Sequence, residues 1–126
     1  MADGRAIASY RDLRVWNEAM ELAADWLTKT LPREEAFGMT AQIRRAAASV
    51  PANIAEGYGR ESAGGYVQFL KNAQGSLKEL ETHLLLAQKV ELLDTSASEP
   101  ALARADAVGR MLRGLIRSVQ QSGAAQ

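Results

Sequence analysis

Apolar residues recur along this chain at intervals of three and four. From Asp12 to Leu31, Leu13, Trp16, Met20, Ala23 and Leu27 fall on one helical face. Val15, Ala19, Leu22 and Trp26 form a second apolar row beside them. The spacing predicts a helix over 12–31, with Ser9 and Asp12 offering an N-terminal cap and Pro32 marking the end. Two adjacent rows make a wider apolar face than a minimal bundle seam requires.

A second helix is predicted over 40–58, with Thr40 as its N-cap and Ile43, Ala46 or Ala47, Val50, Ile54 and Tyr58 repeating at helical spacing. Pro51 lies inside this run. It lacks an N–H and crowds the Ala47 carbonyl, so a kink is expected rather than a break. Asn53 stands close enough to serve backbone groups freed there. The third helix, 62–92, carries the clearest pattern: Tyr66, Leu70, Ala73, Leu77, Leu80, Leu84 and Ala87 make a heptad seam. Leu84, Leu85 and Leu86 point in three directions, which calls for a second helical neighbour or a second subunit. After the turn Asp94–Pro100, Ser96 and Glu99 have capping-box spacing. A fourth helix, 97–121, then turns Leu102, Ala105, Gly109, Leu112, Ile116 and Val119 inward. Residues 1–8 and 122–126 are expected to fray.

Four amphipathic helices with short connections predict an all-α, antiparallel up-down-up-down four-helix bundle with a kinked second helix. The 126 residues suit a single domain, 1–126, with an ordered core over about 10–121. No segment reads as a strand or as a membrane span. The first residues lack the basic and apolar stretches of a signal peptide, and there is no cysteine. A cytoplasmic location is therefore expected, and thiolate metal sites and Cys nucleophiles are excluded.

Fifteen basic residues balance fifteen acidic ones, which argues against indiscriminate charge-driven binding of nucleic acid but leaves room for a local patch. The charge is segregated. Glu18, Glu21, Asp25, Glu34 and Glu35 outnumber Lys29 and Arg33 over 17–35, whereas four arginines face only Asp106 over 100–121. Arg110, Arg113 and Arg117 align as a basic stripe on the fourth helix, and Arg44 with Arg45 adds a basic pair on the second. Such groups neutralise phosphates or simply form a solvated face whose stems cover apolar surface. The only histidine, His83, lies near Glu79 and Glu81, but the Glu-x-x-His spacing of a di-metal bundle is absent. Ser76 is two turns from His83, about 10 Å along a helix, and no nucleophile elbow or phosphate-cradling loop occurs. No catalytic residue, metal, cofactor or small-molecule substrate is expected. Glu56 with Arg60, and Asn53 near Pro51, read as structural polar groups or as part of a subunit contact.

The string from Asn53 to Arg60 is specific, and it does not stand alone. Arg44-Arg45-Ala46, Ser49-Val50-Pro51-Ala52-Asn53-Ile54-Ala55-Glu56-Gly57-Tyr58-Gly59-Arg60, Phe69-Leu70 and Gly75-Ser76-Leu77-Lys78-Glu79-Leu80-Glu81-Thr82 closely resemble a bacterial family of four-helix-bundle proteins. That family was first noticed in intervening sequences of 23S ribosomal RNA genes. The opening Asp12-Leu13-Arg14-Val15-Trp16 and Gln42-Ile43 also fit, so the match covers about residues 10–93. The resemblance implies a small cytoplasmic helical bundle that often assembles as a homo-oligomer, with pentamers known; the expected role is a non-enzymatic interaction scaffold with a protein partner, the alternative being direct binding of RNA or DNA. A similar bundle is the accessory subunit of diversity-generating retroelements, where a basic pentamer contacts nucleic acid and a reverse transcriptase. The family's ribosomal name marks gene location. This chain departs from the pattern at Gly64-Gly65 and in its zero net charge.

Overall fold

The computed structural model describes residues 6–29, 31 and 36–125. Four α-helices follow one another: α1 (Arg14–Leu27), α2 (Ala41–Tyr58), α3 (Ala63–Lys89) and α4 (Thr95–Ala125). No strand occurs among the described residues. Contacts between α3 and α4 run in opposite senses. A methyl group on Gly123 would lie 2.7 Å from Ala63 Cβ, one on Gly109 would meet the Leu77 side chain, and Ser98 hydrogen-bonds Gln88. Similarly, Ser49 on α2 meets Ser76 on α3 while Gly57 meets Phe69. α2 with α3, and α3 with α4, are therefore antiparallel, and α4 packs back on α1, which gives the all-α four-helix bundle expected from the periodicity.

The core lies between the four helices. The α3 seam is buried from Leu70 through Ala87, and Val67 joins it. Facing it are Ile43, Ala46, Ala47, Val50 and Ile54 from α2 and Ala101, Ala105, Val108, Leu112 and Ile116 from α4. On α1, Val15, Ala19, Leu22, Ala23 and Trp26 are buried. The row expected to lead, Leu13 to Leu27, is split: Leu13 and Ala23 are buried, Trp16 is half-buried, and Met20 and Leu27 are exposed. One strip of α1 is enough to cover the bundle, so the wider face is only partly used within the subunit.

The helix ends differ from their expected bounds for local reasons. Ser9 and Asp12 do cap, but they cap a separate 3-10 turn, Tyr10–Asp12. Ser9 Oγ accepts from the Arg11 N–H, and the Asp12 carboxylate accepts from Ala8 and Ser9. Leu13 is extended, so α1 starts at Arg14. Its end, Leu27, comes before residue 31, and the Pro32 stop lies outside the described residues. Thr40 does not cap α2. It is itself helical, within a π-type turn at Ala36–Thr40, and its Oγ1 accepts the Leu31 N–H at 3.2 Å. α2 runs unbroken through buried Pro51. Asn53 Nδ2 donates to the Ser49 carbonyl at 2.9 Å, rather than serving the Ala47 carbonyl that the proline cannot reach.

α3 stops at Lys89 rather than 92 because Glu91 takes φ 64°. The Leu92 N–H then reaches back to the Ala87 carbonyl (2.8 Å) and the Glu91 N–H to that of Gln88 (3.1 Å), the Schellman closure of a helix. α4 starts at Thr95, so Ser96 and Glu99 lie inside it rather than boxing its start. The Asp94 carbonyl accepts from Ala97 and Ser98 instead, at 3.0 Å each. The segment expected to fray after 121 is helical to Ala125, with Gly123 seated against the first residue of α3.

Candidate nucleic-acid interface

The three α4 arginines are all exposed, on the side of the helix away from buried Leu112 and Ile116. Arg110 is ion-paired with Asp106 one turn earlier. Among the described residues, Arg113 and Arg117 have no acidic partner. The two α2 arginines part company, as adjacent positions on a helix must. Arg45 is exposed and donates to Gln42 Oε1. Arg44 is half-buried, and its Nη2 donates to the Lys29 carbonyl at 2.7 Å, which ties the exit of α1 to the start of α2.

The signature residues between 49 and 82 mostly build the α2–α3 joint. Ser49 and Ser76 share a 2.7 Å hydrogen bond between the helices, and Asn53 Nδ2 adds a 3.0 Å bond to Ser49 Oγ. Gly57 is buried, and a Cβ there would lie 2.9 Å from Phe69 Cβ and 3.1 Å from the Tyr66 carbonyl. Only glycine lets α2 come this close. Arg60 pairs with Glu56 at 2.7 Å and stacks 4.4 Å above the Phe69 ring. Tyr58 and Tyr66 meet edge to face at 5.9 Å. Burial, reinforced by Tyr58, pushes the Tyr66 phenol up to about 12. Gly59 is the C-cap of α2, and its N–H reaches the Ala55 and Glu56 carbonyls. Of the two departing glycines, Gly65 donates to the Ser62 cap and has Arg60 Cβ close by, while Gly64 is open.

Farther along α3, Lys78 pairs with Glu81 at 3.1 Å, and Thr82 Oγ1 donates to the Lys78 carbonyl. His83 Nε2 is 3.8 Å from the Glu79 carboxylate, too long for a hydrogen bond. Ser76 is engaged with Ser49, so Ser, His and acid are not brought together. Among the described residues no group of three or more acids and histidines is arranged to hold a metal ion, and no helix is long and apolar enough to cross a membrane.

Sequence reasoning missed a recess of about 360 Å³ between the outer faces of α3 and α4. It is lined by Lys71, Gln74, Gly75, Leu77, Lys78, Gly109 and Arg113. Arg113 belongs to the α4 stripe, and Lys71 and Lys78 come from α3. Their seven-residue spacing places both on one side of α3, off the seam, and that was the available signal.

The model of one protein family, described as 23S rRNA-intervening sequence protein, matches residues 11–114. The fold is similar to that of a crystallised protein of unknown function from the S23 ribosomal protein family of Bacteroides thetaiotaomicron. The TM-score is 0.72 at 23% sequence identity, over 81% of this chain and 97% of that one. No curated protein matches the sequence.

Proposed function

The chain belongs to the 23S rRNA-intervening sequence protein family, and from that premise we propose that it acts in the cytoplasm as a non-enzymatic, homo-oligomeric interaction scaffold. The observation that carries this reading is the apolar surface left over once the bundle is closed. Met20 and Leu27 on α1, and Leu85, Leu86 and Val90 at the end of α3, are 41–53% exposed. Leu86 and Val90 stand one turn apart with Leu85 beside them, and Met20 and Leu27 stand two turns apart. Clustered apolar exposure of this kind favours burial against another surface. A second copy supplies one without a further gene product. The family resemblance suggests cyclic closure, with a pentamer as the specific expectation.

Multi-angle light scattering at micromolar concentrations tests it. The expected mass is a multiple of the 13.6 kDa subunit. Leu85→Gln combined with Leu86→Gln and Val90→Gln should lower the mass while leaving the helical circular dichroism intact. A wild-type monomer throughout that range overturns the scaffold reading.

A second reading, direct RNA or DNA binding by the oligomer, draws on Arg113 and Arg117, which are exposed and have no acidic partner among the described residues. A ring would repeat each stripe, so weak contacts add through effective concentration. Replacing Arg110, Arg113 and Arg117 with Gln should weaken such binding equally for all sequences, since phosphate contacts carry no base information.

A further inference from the structure

We propose that the α3–α4 recess is a binding site for a nucleotide unit, its phosphate held by Lys71, Lys78 and Arg113. It shares Arg113 with the nucleic-acid reading above, but it stands on the recess, and it belongs to one subunit whatever the assembly.

Three observations converge. The first is charge. The lining holds three cations and no carboxylate. Lys71 and Arg113 have no acidic partner among the described residues. Lys78 has one, Glu81, on the following turn, which steadies its ammonium and leaves two further N–H donors for a ligand. Lys71 and Lys78 lie about 10 Å apart along α3, and Arg113 comes from the opposite wall. An anion between them meets positive charge from both helices.

The second observation is the floor. Gly75 sits in the middle of the 27-residue α3, and a Cβ there would meet nothing within 4 Å. Glycine in a helix interior is less favourable than alanine, and no contact found at Gly75 requires it. Close approach of a ligand to the backbone does. Gly114 is equally open but does not line the recess. Gly109 completes the floor on α4, with Leu77 and Arg113 beside it.

The third observation is size and surface. About 360 Å³ lies at the lower end of small-molecule sites, roughly 300–1,000 Å³, and is too small for a docked helix about 10 Å across. Leu77 and the two glycines give a sugar or base an apolar resting surface, and Gln74 adds an amide able to donate and accept. A bare inorganic anion would use the cations and leave the floor empty, whereas a nucleotide uses both.

A phosphorylated nucleoside reaches the site either free or as part of a single strand. The two sources are separated with AMP and UMP in one arm and fluorescent twelve-residue oligo(U) and oligo(dT) in the other, titrated against the full chain at about 50 and 200 mM salt. Binding in either arm is expected to fall at least tenfold in Lys71→Gln/Lys78→Gln/Arg113→Gln. It should fall similarly in Gly75→Leu, which fills the recess without changing charge and favours helix. Lys89→Gln, three turns beyond Lys78 on α3, should bind as wild type. If one phosphate of the strand meets all three cations, the log–log salt slope is about −0.7, the value for one phosphate on a single strand. Helical circular dichroism and scattering mass should not change in the variants. Mononucleotide binding that needs an open Gly75 assigns the free ligand, and oligonucleotide binding alone assigns the strand. The proposal is overturned if neither arm binds at about 50 mM salt. It is also overturned if Gly75→Leu binds as well as wild type, or if an oligoglutamate peptide competes as strongly as the oligonucleotides.

Discussion

Two glycines of the same sequence do opposite things. Gly57 is fixed by contact: any Cβ would press into Phe69 and the Tyr66 carbonyl. Gly57→Ala should therefore destabilise the fold by about 1–3 kcal/mol, whereas Gly75→Ala should stabilise it by about 0.5–1 kcal/mol. Urea denaturation of the two variants gives the signs directly. In the seam, Leu80 is fully buried, and Leu80→Ala should cost about 2–5 kcal/mol. A loss below about 0.5 kcal/mol would mean that this side chain is not core. Tyr66 adds a pH dependence. Its phenol titrates at about 12 in the fold against 10.0 outside it, so the folded state holds the extra proton between those values. Stability is then full below pH 10 and falls as pH rises from 10 towards 12. Tyr66→Phe should flatten that fall, read from denaturation midpoints across the alkaline range.

At the scale of elements, what packs was legible in the sequence and what ends was not. The α3 seam from Leu70 to Ala87 follows from periodicity because seven-residue spacing leaves one buried stripe. Helix ends depend on single groups whose choice of partner is made in three dimensions. Thr40 has an N-cap side chain but gives its hydroxyl to Leu31. Ser96 and Glu99 have box spacing, yet the Asp94 carbonyl starts α4 two residues earlier. Glu91 gave no stop signal, because a left-handed residue at that place is usually glycine. The candidate site divides in the same way. The arginine stripe was visible on one helix, but the recess needs Lys71 and Lys78 from another, and only the antiparallel pairing of α3 with α4 brings them to Arg113. The strained stop at Glu91 gives a test of its own. Glu91→Gly keeps the φ of 64° at no steric cost, so the variant should gain stability, about 0.5–1 kcal/mol, by relief of that strain. Thermal or urea unfolding measures it, and a loss instead would show that the Glu91 side chain has a stabilising contact.

For the whole molecule, the balance of charge separates two ways in which copies of the chain could hold together. With fifteen cations and fifteen anions, the subunit has little net self-repulsion to screen, so salt acts mainly on specific contacts. If the copies meet through Met20, Leu27, Leu85, Leu86 and Val90, sulfate should strengthen assembly, because excluded salts favour apolar burial. If they meet instead by pairing the α4 arginines with the acidic side of α1, where Glu18, Glu21 and Asp25 lie, rising salt should dissociate them. Asp25 is already held by Lys29 at 2.8 Å and Arg110 by Asp106, which reduces what the second mode has to offer and leaves the apolar mode favoured. Sedimentation velocity at about 50 and 500 mM ionic strength, in chloride and in sulfate, should show a mass that holds or rises. Nucleotide binding at the recess should weaken over the same range, because it depends on cations meeting phosphate. Opposite salt responses from one preparation would assign assembly to the apolar surface and ligand binding to the charged one. A mass that falls with salt would assign the arginines to the subunit contact and remove the apolar basis of the scaffold.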